Sequence, residues 1–327
     1  MLILNEKEIR GLVPMDLQAL QVVAEGFRKL SVGEATLPPI MRIDVPEHNG
    51  EVDVKSAYLH GLDAFAIKIA AGFFNNASLG LPTGSGMMLI VSAVTGVPQA
   101  VLLDNGYLTD VRTGLAGAIA AQHLAPLHPK MVGVIGSGMQ SRYQIRALKL
   151  VRDFSNLMVF GIDSSAVQDY AHEMSVELDV EVQIAESVQQ LIGSCEIVVT
   201  TTPSRQPFVK AEWLHPKLHI TCMGADSEHK QEIEAAVFGR ADLIACDSRA
   251  QCLSLGELHH ALDSNTITLQ TPIAELGELV AMLKPGRQTE QEITICDLTG
   301  VGVQDTQIAL LAYTRALAQG IGLEINA

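Results

Sequence analysis

The run Met131–Ser141, MVGVIGSGMQS, is where residue types first imply chemistry. Val132, Val134 and Ile135 suit a buried strand, Gly136 and Gly138 a tight turn, and a helix follows from about Met139. A strand, a glycine turn and a helix N-terminus together make a pyrophosphate-binding geometry. Ser141 stands where a GxGxxG spacing places its third glycine. An ordinary βα turn uses glycine in the same way, so the further βα units downstream are what favour a dinucleotide. The next strand leads into Phe160-Gly161-Ile162-Asp163. An acid there suits the ribose of NAD, and no arginine is at hand for the extra phosphate of NADP, so NAD is favoured over NADP. The strand Glu196–Thr200 ends in TTTPSRQP, hydroxyls and a proline where such strands line a cofactor crevice.

Charged residues stand where an anion or a proton could be handled. Lys68 shares a face of the strand Phe65–Ala70 with Ala66 and Ala70. A long cation among small neighbours leaves room for an anion; a solvated sheet face explains it equally. Arg112 falls in the first turn of a helix capped by Thr109 or Asp110, where a cation opposes the helix dipole. Holding an anion and lying on the surface are both open there. Asp226 follows Gly224 just beyond the strand His219–Met223, a ligand position in a parallel sheet or else a turn or cap residue. His259 and His260 are adjacent on a helix and point different ways, which does not suit a metal site.

Composition narrows the class. The chain has 327 residues, 48% apolar and 18% charged, enough for a substantial core in one or two domains. A net charge of -15 argues against nucleic acid and anionic membranes as partners. The five cysteines show no CxxC pair, so neither a zinc site nor a disulfide framework is indicated, and reduced thiols in a cytoplasm are expected. The N-terminus lacks a signal peptide's basic start and apolar core, and no apolar run has the length of a membrane span.

Periodicity then places the elements. A short strand at Leu2–Leu4 and a short helix at Glu6–Leu12 precede an amphipathic helix over Met15–Leu30. Strands follow at Ile40–Val45, which holds Arg42, at Val52–Tyr58 and at Phe65–Ala70, with a hairpin at Met88–Ser92 and Gln99–Leu103. The helix to Leu124 is narrow, rich in Gly and Ala, and suited to close packing. From Met131 strands and helices alternate through Cys296, which predicts an α/β fold with a Rossmann-type doubly wound parallel sheet. A last helix, Gln304–Gln319, returns to the N-terminal part, so the sheet is inserted into a second α+β domain.

The chain resembles the ornithine cyclodeaminase/mu-crystallin family over nearly its whole length. The matching stretches are PPIMRIDV, AFAIKIAAGF, LLDNGYLTDVRTGLAGAIAAQHLA, VGVIGSGMQSR, EIVVTTTPSRQP, MGADSEHKQEIE, GELHHAL and TICDLTGVGVQD. The wording is most similar to the branch holding ectoine-utilisation proteins and imine reductases. The resemblance implies a substrate and dimerisation domain (1–125 and 304–327) around a dinucleotide domain (126–303), and a homodimer. It implies that Arg42, Lys68, Arg112 and Lys230 bind substrate and that Asp226 and Lys68 act in catalysis. It implies cofactor contacts from Thr83, Gly136, Gly138, Met139, Gln140, Ser141, Asp163, Thr201, Thr202, Met223, Gly224 and Thr299. The activity it implies is NAD(P)H-dependent reduction of the C=N bond of a small 2-imino acid, best 1-pyrroline-2-carboxylate to L-proline. Ornithine cyclodeamination, alanine dehydrogenation, iminosuccinate reduction and a non-catalytic crystallin-like binding role are the alternatives. Asp53 stands where true cyclodeaminases carry a glutamate, which disfavours the cyclodeaminase reading.

Overall fold

A computed structural model describes residues 1–326. The chain begins with β1 (Leu2–Asn5), α1 (Glu6–Leu12), α2 (Leu17–Ser31), β2 (Ala35–Thr36), β3 (Met41–Val45), β4 (Gly50–Leu59), β5 (Ala64–Phe73), β6 (Gly84–Ser92), β7 (Pro98–Leu103) and α3 (Tyr107–Leu124). It continues through β8 (Val132–Ile135), α4 (Met139–Lys149), β9 (Asn156–Phe160), α5 (Ser164–Leu178), β10 (Glu181–Ile184), α6 (Val188–Ser194), β11 (Ile197–Thr200) and β12 (His219–Cys222). After β13 (Leu243–Cys246) come α7 (Arg249–Leu255), α8 (Glu257–Asp263), β14 (Ala274–Glu275), α9 (Leu276–Val280), β15 (Thr294–Asp297), α10 (Gly302–Gln319) and β16 (Leu323–Glu324). Two compact units result, one from 1–112 with 301–327, the other from 113–300. The division falls inside α3, whose Ala121, with Ala125 just beyond it, packs in the core of the second unit.

The first unit holds an eight-stranded sheet in the order β16-β1-β7-β6-β5-β4-β2, with β3 added on β4. From β3 to β7 the pairs are antiparallel. One face is buried beneath α10: Lys55, Ala57 and Leu59 of β4, Ala66 and Lys68 of β5, and Met88 and Ile90 of β6. Alternation sends Met41, Val54, Ile69 and Met87 to the opposite face, in one cross-strand row. Helix α2 follows its apolar spacing, burying Leu20, Val23 and Phe27, and Asp16 caps it through the Ala19 N–H at 2.7 Å.

The second unit is a parallel sheet of eight strands ordered β10-β9-β8-β11-β12-β15-β13-β14. The strand order reverses direction between β8 and β11, which puts a ligand crevice at the carboxyl ends of those strands. Its central strands β8, β11, β12 and β15 are short and wholly buried, as both-face coverage requires, while the edge strand β10 is largely exposed.

Three local expectations shift. Helix α3 starts at Tyr107, not at Thr109 or Asp110, because Asp104 accepts the Leu108 N–H at 2.8 Å and nucleates the first turn earlier. Arg112 therefore lies in the second turn, and its placement no longer opposes the helix dipole. The stretch SLGELHHAL is two helices broken at Gly256, since a Cβ there would lie 2.3 Å from the Asp297 carboxylate. No helix among the described residues is long and apolar enough to cross a membrane.

Candidate active site

In the first unit, register assembles a charged patch on the helix-covered sheet face. Lys55 pairs with Lys68, which pairs with Met88; in the next row Arg42 pairs with Asp53 and Asp53 with Ala70. Like charges directly opposite would destabilise the sheet. The compensation comes from α10. Asp305 places one oxygen 3.0 Å from Lys68 Nζ and the other 3.0 Å from Arg112 Nε. Lys68 and Asp305 are 2% and 0% exposed. Burial, then Arg112, pull the Lys68 amine down to about 7, against the opposing attraction of Asp305. The neighbouring cations Lys68, Arg112 and Lys55 hold the Asp305 carboxyl below its ordinary range despite burial.

The start of α10 is a polar run that is wholly buried, Gln304-Asp305-Thr306. Gln304 donates to the Arg112 carbonyl at 3.2 Å, and its amide oxygen accepts the Val301 N–H at 3.0 Å. Thr306 donates to the Ala57 carbonyl at 2.7 Å and accepts the Ala66 N–H at 3.1 Å. These bonds fix the helix end on the sheet and aim Asp305 between the two cations. The sequence reading missed Asp305. Its signal was an acid at helical spacing with Ile308, Ala309 and Ala312, on the stripe that must be buried. Arg42 is differently engaged: it pairs with Asp44 at 3.0 Å and with Glu51, and lies 3.8 Å from Asp53. It shares the sheet face with Lys68 but leans on acids of its own hairpin, so the cations grouped on Asp305 are Lys68 and Arg112. Thr83 belongs to this unit, its carbonyl accepting the Phe73 N–H at 2.8 Å just before β6.

In the second unit, a cavity of about 440 Å³ opens at the switch point. Ile135, Gly136, Gly138, Phe160, Asp163 and Thr201–Ser204 are among its lining residues. Gly136 has φ +111°, a conformation that a side chain would strain, and a Cβ there would meet Thr201 Oγ1 at 2.5 Å. A Cβ on Gly138 would meet only open space. Helix α4 has no side-chain cap, so its first N–H groups face the loop. These features fit a dinucleotide pyrophosphate. Ser141 replaces the third glycine by turning its hydroxyl onto the Gly138 carbonyl at 2.7 Å. Arg142, absent from the sequence reading, donates to the carbonyls of Ser137 (2.6 Å) and Gly138 (3.0 Å) and braces the loop from behind. Asp163 lines the cavity and caps α5 through the Ser165 and Ala166 N–H groups. Met139 is exposed at the start of α4, and Gln140 follows it in the same turn.

The strand ends beside this cavity carry the remaining candidates. Asp226 follows the turn after β12, and its Oδ1 is 2.6 Å from Lys230 Nζ. Met223 and Gly224 lead into that turn. Asp247 accepts the Thr299 N–H at 2.9 Å and the Gly300 N–H at 2.6 Å, so a buried carboxylate sets the conformation after β15.

A model of the ornithine cyclodeaminase/mu-crystallin family matches residues 1–320. The chain belongs to that family. A Rhizobium meliloti protein named, provisionally, as a dehydrogenase is 48% identical over 98% of both chains. The solved Δ1-pyrroline-2-carboxylate reductase of Thermococcus litoralis, in complex with NADH and L-proline, is 30% identical. It covers 99% of this chain and all of its own, with a TM-score of 0.94. An archaeal alanine dehydrogenase, solved as a dimer with bound NAD, is 33% identical over 100% and 99% of the two chains, with a TM-score of 0.92. Family members thus share both units and the inserted nucleotide fold.

Removing Asp305 should strand two buried cations. Asp305→Asn is expected to cost about 3–5 kcal/mol at neutral pH, read from denaturant unfolding. Because the folded carboxyl titrates below its unfolded value near 3.8, the wild-type advantage should be complete between that pH and about 7, above which Lys68 loses its proton and its share of the pairing. It should shrink as pH falls through the folded value.

Proposed function

We propose that this nicotinamide-dependent oxidoreductase reduces the C=N bond of a small cyclic 2-imino acid, with 1-pyrroline-2-carboxylate going to L-proline. The observation that carries the reading is the buried Lys68–Asp305–Arg112 group, two cations on one carboxylate. That leaves a positive surplus where water is scarce, which suits a substrate carboxylate. Arg112 offers a planar fork for bidentate contact, and Lys68 a compact charge. Asp305 orients both. The Thermococcus reductase, similar along its whole length, was solved with NADH and L-proline, which supports both the cofactor and the substrate class.

Gly136, Gly138, Met139, Gln140, Asp163, Thr201 and Thr202 would hold the cofactor, with the buried Ser141 supporting the glycine loop from within, and the bound nicotinamide would supply hydride. The carboxylate of Asp163 on the cavity wall disfavours a second phosphate on the ribose, so NADH is preferred over NADPH. Asp226 keeps the imine nitrogen protonated, directly or through water, because an iminium accepts hydride far better than a neutral imine. Lys230, 2.6 Å away, holds that carboxylate in place. The open apolar row Met41, Val54, Ile69 and Met87, with Ile69 40% and Met41 55% exposed, supports a homodimer formed across this sheet face.

The purified protein should oxidise NADH with 1-pyrroline-2-carboxylate. Ammonia released from ornithine without net NADH oxidation would instead establish a cyclodeaminase. Arg112→Ala should raise KM for the imino acid by about tenfold or more, while Asp226→Asn should lower kcat by about 100-fold with NADH still bound. Normal turnover in both would remove these roles.

Lys68 also makes binding pH-dependent. An incoming carboxylate raises the amine from about 7, so binding takes up a proton. L-Proline affinity, measured by calorimetry in two buffers, should be greatest below pH 7 and weaken by up to about tenfold per unit above it. Ile69→Glu should convert a dimer to a monomer on light scattering.

A further inference from the structure

Behind the cofactor cavity lies a carboxyl group that neither contacts solvent nor takes part in the chemistry above. Glu232 is fully buried in the second unit. Its carboxylate accepts four hydrogen bonds. Thr200 Oγ1 donates at 2.6 Å, the Thr202 N–H at 2.6 Å, Thr202 Oγ1 at 2.8 Å and the Gly224 N–H at 2.9 Å. The backbone beside it continues the seam. The Gln231 N–H donates to the Ser204 carbonyl at 2.8 Å, and the Phe208 N–H to the Glu232 carbonyl at 2.9 Å. Glu257 in turn accepts the Glu232 N–H at 2.6 Å, so the segment is held from both sides.

Two strand ends meet on this one side chain. Thr201 to Ser204, leaving β11, form one wall of the 440 Å³ cavity. Gly224, leaving β12, begins the turn that carries Asp226 and Lys230. The approach is too close for any other residue at Gly224. A Cβ there would lie 2.2 Å from the Thr202 carbonyl oxygen and 2.6 Å from the Glu232 carboxylate. Burial pushes the Glu232 carboxyl above its ordinary range, and the hydrogen bonds from Thr200, Thr202 and Gly224 offset only part of that rise. The two backbone N–H groups can only donate, one to each carboxylate oxygen, while the two threonine hydroxyls can donate or accept.

We propose that Glu232 is a positioning residue that, through Thr200 and Thr202, ties the cofactor wall at Thr201–Ser204 to the turn bearing Asp226. One buried carboxyl group then sets where the cofactor seats and where the proton-transferring carboxylate stands. The inference rests on the reading of Asp226 given above. It differs from a merely structural role in what it couples: cofactor affinity and turnover should move together, without a change at the carboxylate-binding cations of the other unit.

Glu232→Gln keeps the shape but sets an amide donor where one oxygen accepts two bonds, from a backbone N–H that can only donate and from a threonine hydroxyl. It should weaken NADH binding by about tenfold and lower kcat by about tenfold or more, with the KM for 1-pyrroline-2-carboxylate within about twofold of wild type. Hydrogen exchange in peptides covering Thr202 and Gly224 should speed up together. Glu232→Asp, which keeps the carboxyl group, should recover part of both losses. Should Glu232→Gln fail to fold, Thr200→Val removes a single donor and should shift NADH affinity and kcat by about threefold in the same direction. A fall in thermal midpoint with wild-type NADH affinity and kcat, or equal losses in the Gln and Asp variants, overturns the proposal. Asp226→Asn, run in parallel, separates the two readings. If it keeps full kcat, the role of Asp226 falls, and Glu232 is then decided by whether Glu232→Gln weakens NADH and deprotects both amides; wild-type values for either overturn it.

Discussion

Two cations buried against a single carboxylate constrain the first unit. Lys68 lies on β5, Arg112 on α3 and Asp305 at the start of α10, so segments far apart in the chain must close on one point. Taking these charges from water is costly, and only close pairing offsets it. The polar bonds of Gln304 and Thr306 hold the helix end where that pairing works. The surplus positive charge is what remains to meet a substrate anion, so the feature that stresses the fold is also the one that serves function. Burial without a full complement of acids is also why the Lys68 amine titrates near 7.

The second unit applies the opposite arrangement to its strand ends. There the buried groups are acids, and backbone N–H groups neutralise them. Glu232 gathers the ends of β11 and β12, and Asp247 gathers the residues after β15. Carboxylates accept several bonds at once, so each can fix a loop that has no regular structure. The glycine loop is held by other means: Arg142 and Ser141 bond its carbonyls and the Gly136 N–H bonds the Phe160 carbonyl, while no side chain caps the helix start at Met139. A cavity wall made of irregular chain becomes rigid without strands or helices crossing it.

Much of the fold was legible in the chain. The strand, glycine turn and helix at 132–149 carry a local signal, because φ at Gly136 and the apolar strand are both properties of a few neighbouring residues. Alternation predicted that Lys68 shares a face with Ala66 and Ala70, and the register bears that out. It could not tell an anion site from a wet surface, since both faces of β5 alternate equally well. Arg42 shows the same limit: its strand was placed correctly, but Asp44 and Glu51 take its guanidinium. The start of α3 was misplaced because the capping carboxylate of Asp104 lies outside the periodic run.

By itself the sequence determined the elements, the parallel nucleotide sheet, the likeness to a family and the residue types from which a site is drawn. Those depend on local sterics and on periodic burial, which a chain carries in its order. Tertiary structure alone decided that Asp305 lies between Lys68 and Arg112, and that Glu232 receives donors from two strand ends. These groupings arise from strand register and from the docking of a helix more than 200 residues away in sequence. No short-range pattern encodes which buried charge will find which partner.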